Sequence, residues 1–104
     1  MQMIFAELDY PVSYVEFHET LARHLMSNFN HVESGLQSDS WFWISDGEFR
    51  VEIHTFYSTK HQVTSAFAGD HIKTVIDVLQ RGFKVKVYPQ PTREPHEGDA
   101  SELH

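Results

Sequence analysis

The stretch from Trp41 to Tyr57, W-F-W-I-S-D-G-E-F-R-V-E-I-H-T-F-Y, constrains this chain more than any other. Apolar runs flank Asp46-Gly47, and Asp-Gly in that setting signals a hairpin, because a type I′ turn needs φ > 0 at both central residues. A two-residue loop there pairs Ser45 with Glu48, then Ile44 with Phe49, Trp43 with Arg50, Phe42 with Val51 and Trp41 with Glu52. Strand side chains alternate, so Phe42, Ile44, Phe49, Val51 and Ile53 share a core face. The opposite face carries Trp41, Trp43, Arg50, Glu52, His54 and Phe56. An uncovered face of an antiparallel sheet is ordinarily polar, so aromatics among charges call for an explanation. Either a helix, a loop or the chain's own tail covers them, or the face contacts a second copy, a partner protein or a flat ligand. Arg50 beside Trp43 adds a cation–π contact of about 0.5–1 kcal/mol where exposed.

The remaining elements extend or cover that hairpin. Residues 2–8 read as a first strand with Ile4, Ala6 and Leu8 toward the core and Phe5 and Glu7 outward. Ser13-x-x-Glu16 matches a capping box and opens a helix to about Phe29, with Tyr14, Phe17, Leu21, Leu25 and Phe29 at helical spacing. Asn30 to Ser40 is polar and reads as a long connection. Residues 62–68 read either as an extra edge strand or as the lead-in to the next helix. Asp70 is placed to cap that helix, Ile72, Val75, Ile76 and Leu79 form its apolar stripe, and Gly82 supplies a left-handed stop. Phe83 to Tyr88 alternates strictly, with Phe83, Val85 and Val87 inward and Lys84, Lys86 and Tyr88 outward.

This order, β-α-β-β-α-β with an optional edge strand near residue 63, predicts a two-layer α+β sandwich of the ferredoxin-like kind. Both helices cover the face made by Ile4, Phe42, Ile44, Val51, Ile53, Val85 and Val87, and the other face stays open. Residues 1–89 form one α+β domain, a size that supports a single core. Residues 90–104, rich in proline and acid, are expected to be a disordered acidic tail.

Composition excludes several classes. Without cysteine there is no disulfide framework and no thiol catalysis, and the chain suits a reducing, cytoplasmic setting. The start lacks the basic region of a secretory signal, and no apolar run approaches the ~18 residues that span a bilayer. Net charge is −7, of which the stretch 89–104 carries −3. That balance disfavours duplex DNA, whose binding draws on phosphate neutralisation.

Eight histidines raise the question of a metal. His18 and His24 sit about 240° apart around a helix, and no H-E-x-x-H occurs, so neither a metal site nor a cofactor is expected. Glu52 and His54 share a strand face, and the carboxylate is expected to raise the imidazole pKa toward general-base use, making them weak catalytic candidates. No Gly-x-Ser-x-Gly and no glycine-rich phosphate loop is present.

The leading expectation is a small interaction or regulatory protein rather than an enzyme, one that self-associates as a homodimer or binds a protein partner. Its contact residues are Trp41, Trp43, Arg50, His54, Phe56, Lys84, Lys86 and Tyr88. The alternative is a module for single-stranded nucleic acid or a flat small molecule on the same face, disfavoured by the net charge. An acid–base enzyme using Glu52 and His54 comes third.

Overall fold

The computed structural model describes residues 2–94. Eight elements follow in order: β1 (Met3–Asp9), α1 (Tyr14–Asn28), β2 (Val32–Leu36), β3 (Ser40–Asp46), β4 (Phe49–His54), β5 (Gln62–Ser65), α2 (Asp70–Gln80) and β6 (Lys84–Arg93). The strands form one antiparallel six-stranded sheet in the order β2-β3-β4-β5-β1-β6. Both helices contribute to the core on one side of it, so the two-layer α+β sandwich stands.

The βαββαβ order of the ferredoxin-like expectation is not matched: residues 62–65 form β5, which lies inside the sheet between β4 and β1 and not at an edge, and the polar connection Asn30–Ser40 contains β2. V-E-S-G-L lacks the strong alternation of a half-buried strand. It pairs through its backbone at the sheet edge, where side-chain patterning is weakest.

The hairpin is present but turns one residue later. Asp46 pairs with Phe49 and Gly47-Glu48 forms the loop. Gly47 has φ 63° and no non-glycine residue has positive φ. That is the type II′ pattern, in which only the first central residue needs the left-handed region. Val51 now faces Ile44, Glu52 faces Trp43, and His54 faces Trp41. Each partner moves by two residues, so side-chain parity survives the new register, but Phe49, expected in the core, is 41% exposed and stacks on His71 at the end of the hairpin.

The inward assignment of Ile4 and the outward assignment of Phe5 on β1 are exchanged by a register shift between Ile4 and Ala6. Ala6 pairs with Val63 on the core face, whereas Ile4 pairs with Thr64, which opposes Glu52 on the open face. Phe5, expected outward, packs against the helix-side core instead. A bulge reverses the alternation locally, which period-two reading does not anticipate.

The first helix starts as its sequence indicates. The Ser13 hydroxyl accepts from the Glu16 amide at 3.2 Å, and Phe17, Leu21 and Leu25 are buried. The second begins one residue earlier than expected, with Gly69 at the cap and no side-chain cap bond from Asp70. Its end does not use a left-handed glycine: Arg81 is right-handed helical and Gly82 has no positive φ. Gly82 instead admits the His24 ring, which would lie 2.8 Å from an added Cβ. The His24 Nε2–H donates to the Val78 carbonyl at 2.7 Å and ties α1 to α2.

Residues 90–93, assigned to a disordered tail, belong to β6. Between the pairs Ala6–Val87 and Ile4–Thr92, β6 holds more residues than β1 does. Pro89 and Pro91 fall in that excess, on an edge strand, where a missing N–H costs no ladder bond. Beyond it the Glu94 N–H donates to the Gln2 carbonyl at 3.1 Å. The rest of the expected tail, 95–104, lies outside the described residues.

Candidate interaction surface

The sheet face away from the helices is organised in rows set by strand pairing. One row runs Gly35, Trp41, His54, Gln62, Glu7, Lys86. The next runs Glu33, Trp43, Glu52, Thr64, Ile4, Thr92. The two indoles therefore stand side by side on β3, ring centroids 4.7 Å apart, both half-buried. Gly35 makes room for one of them, since a Cβ there would sit 2.5 Å from the Trp41 ring. Trp41 thus lies across the backbone of β2, and the glycine weakens no side-chain packing because the indole supplies it. Arg50 caps the other indole, its guanidinium carbon 4.5 Å from the Trp43 centroid, and pairs with Glu52 at 3.1 Å.

The face divides into two halves. Over β4 and β5 the chain covers itself. Phe56, which follows β4, folds back and stacks on His54 at 4.3 Å, with Tyr57 edge-on at 6.1 Å. Glu94 reaches over to His54 Nε2 at 3.2 Å. His54 is consequently 1% exposed. Over β2 and β3 the two indoles are half-buried, and the Trp43 Nε1–H is buried without a hydrogen-bond partner among the described residues.

The catalytic candidates separate. His54 contacts Glu94 and not Glu52, whose partners are Arg50 and Gln2. Burial pushes the His54 pKa down to about 4, against a smaller upward pull from a backbone hydrogen bond and Asp39. This reverses the upward shift expected from a neighbouring carboxylate, because desolvation of the charged imidazole outweighs the attraction. The Phe56 amide donates to Nδ1 at 3.4 Å, so Nε2 carries the proton and donates to Glu94. Burial, and then Glu52, raise the Glu94 pKa. The hollow beside Glu52 is lined by Gln2, Phe49, Arg50, Ser65 and Phe67, and His54 does not reach it.

The cationic candidates also separate from the indoles. Lys84 and Lys86 lie on β6, four strands from β3, which is about 19 Å at the usual strand spacing. Lys84 pairs with Asp9 at 3.5 Å, and Lys86 stands opposite Glu7. Tyr88 falls where β6 leaves its register with β1, so it joins neither row. Of the predicted set, Trp41, Trp43 and Arg50 form one patch, with Phe56 at its border.

A second polar cluster was not legible in the sequence. Ser40, at the start of β3, places its Oγ 2.7 Å from His61 Nε2 and 2.6 Å from His18 Nδ1, while His61 Nδ1 meets the Tyr10 hydroxyl at 2.8 Å. One polarity satisfies every member with neutral rings. Tyr10 donates to His61, His61 donates to Ser40, and Ser40 donates to His18. Burial drives the His61 pKa to about 3 and the Tyr10 pKa to about 12. Ser40 and His61 are both 0% exposed, so this Ser–His pair meets no substrate and serves the core. Its members come from the segment after β1, from α1, from β3 and from the segment before β5, with no spacing that links them in the chain.

Among the described residues no group of three or more His, Asp or Glu converges as a metal site, and no helix is long and apolar enough to cross a membrane. No protein-family model, no curated protein and no solved structure matches the chain.

Proposed function

We propose that this protein is a small cytoplasmic interaction module whose Trp41–Trp43–Arg50 patch is buried against a second copy of the chain. The observation that supports the reading is the pair of adjacent indoles on the sheet face away from the helices, half-buried, one of them stacked under a 49%-exposed arginine with its buried N–H unpartnered among the described residues. Trp and Arg are the side chains that concentrate binding energy at protein interfaces. An isologous pairing covers such a patch with its own equivalent. The absence of cysteine favours the reducing compartment assigned to it.

Light scattering behind size exclusion, on the full chain and on the double variant Trp41→Ser/Trp43→Ser, tests this. The mass is expected to halve in the variant while circular dichroism stays native. An unchanged mass with a native fold removes the patch from any self-association.

A further inference from the structure

The two edges of the sheet are built differently. β6 carries Pro89 and Pro91, the exposed Lys84 and Lys86, and an irregular register, all devices that blunt an edge against pairing. β2, at the other edge, carries no proline, no lysine and a regular register with β3. Its outward bonds can be assigned. The His31 carbonyl accepts from Ser45 N–H at 3.0 Å and Gln37 N–H donates to the Asp39 carbonyl at 3.1 Å, so the odd-numbered residues exchange bonds with β3. In an antiparallel ladder the alternate residues then point away. Val32, Ser34 and Leu36 therefore direct N–H and C=O to an edge that no strand among the described residues takes.

The helix layer is apolar at the same edge. Phe17 and His24 of α1 turn toward Phe83 at the end of α2. Val15, Ala22 and Met26 occupy the opposite flank at helical spacing, above β2, which α1 overlies. Val15 and Met26 are 53% and 52% exposed, and Leu36, on the helix side of β2, is 39% exposed.

We propose that a second copy of this chain pairs antiparallel along β2, about a two-fold axis through Ser34. This register sets all three outward residues of each copy against those of the other, with Ser34 opposite Ser34 and Val32 opposite Leu36. Glu33 then faces Gly35 and not its own equivalent, so no like charges oppose each other. Sliding the strands by two residues either places Glu33 against Glu33 or leaves outward groups unpaired. Antiparallel pairing within one sheet makes the axis perpendicular to that sheet. Both helix layers stay on the same side, and the Val15 and Met26 flanks meet across the small Ala22. The two six-stranded sheets become one. A face-to-face pairing of tryptophan patches uses an axis in the sheet plane, so the two contacts are independent and compatible, together giving a tetramer.

The test is mass by light scattering across a dilution series of the full chain, with circular dichroism on each protein. Ser34→Pro deletes an N–H that bonds nothing in β3, and Val15→Glu/Met26→Glu changes only exposed helix positions. Each is expected to halve the wild-type mass, and Ser34→Pro is expected to halve it again in the Trp41→Ser/Trp43→Ser background. A wild-type dimer that the tryptophan variant preserves and Ser34→Pro dissociates supports the edge while refuting the face. If Ser34→Pro misfolds, the helix variant decides. Native variants that keep the wild-type mass, or a wild-type chain that is monomeric at every concentration, overturn the edge pairing.

Discussion

Acidification should unfold this protein through two buried histidines. His54 and His61 are 1% and 0% exposed, and burial holds their pKa values at about 4 and about 3 against 6.5 in the open chain. Between those limits the unfolded chain binds more protons than the folded one, so stability falls as pH falls. The contribution is complete above pH 6.5 and is lost progressively on the way down to the folded values. At about 1.4 kcal/mol per pH unit per proton, each histidine costs about 2 kcal/mol between pH 7 and pH 5, and the pair about 4 kcal/mol. Glu94 works the other way. Its raised pKa makes the folded state take up a proton first, which offsets part of the loss near His54. A domain of this size is stable by about 5–15 kcal/mol, so the effect is large. Urea unfolding at pH 7, 6 and 5 measures it directly. His61→Gln, which removes one titrating group while keeping a donor and an acceptor between Tyr10 and Ser40, should reduce the pH slope by about half. A wild-type loss below about 1 kcal/mol over that range, or an unchanged slope in His61→Gln, would refute the reasoning.

Two further outcomes follow from packing. Leu25→Ala deletes a 0%-exposed side chain at the centre of the helix–sheet core and should cost about 2–5 kcal/mol in urea unfolding, with cooperativity kept. Gly35→Ala drives a Cβ into the Trp41 indole and should displace that ring, changing tryptophan fluorescence and near-ultraviolet dichroism and costing about 1–3 kcal/mol. Wild-type spectra in Gly35→Ala would place the indole elsewhere.

The fold was legible wherever a residue's neighbours in sequence decide its environment. Period-two alternation sorted Phe42, Ile44, Val51 and Ile53 to the core and Trp41, Trp43, Glu52 and His54 to the other side, and that sorting survived a wrong turn and a wrong register because the error was an even number of residues. The helix stripes Phe17–Leu21–Leu25 and Ile72–Val75–Ile76–Leu79 were equally local. Local patterning had no hold on β2, which is specified by backbone pairing at an edge, or on the β1 bulge, which reverses alternation at Phe5.

Chain order alone thus determined the two layers, the side-chain parity of the β3–β4 hairpin and the adjacency of Trp41, Trp43 and Arg50. Tertiary structure decided what each face residue meets. It set His54 under Phe56 and Glu94, carried Lys84 and Lys86 to the far edge, and gathered Tyr10, His61, Ser40 and His18 into one buried chain of hydrogen bonds. The reason is range. Alternation and helical spacing act over a few residues, whereas burial, and with it the sign of a pKa shift, depends on segments tens of residues apart that only the folded sheet brings together.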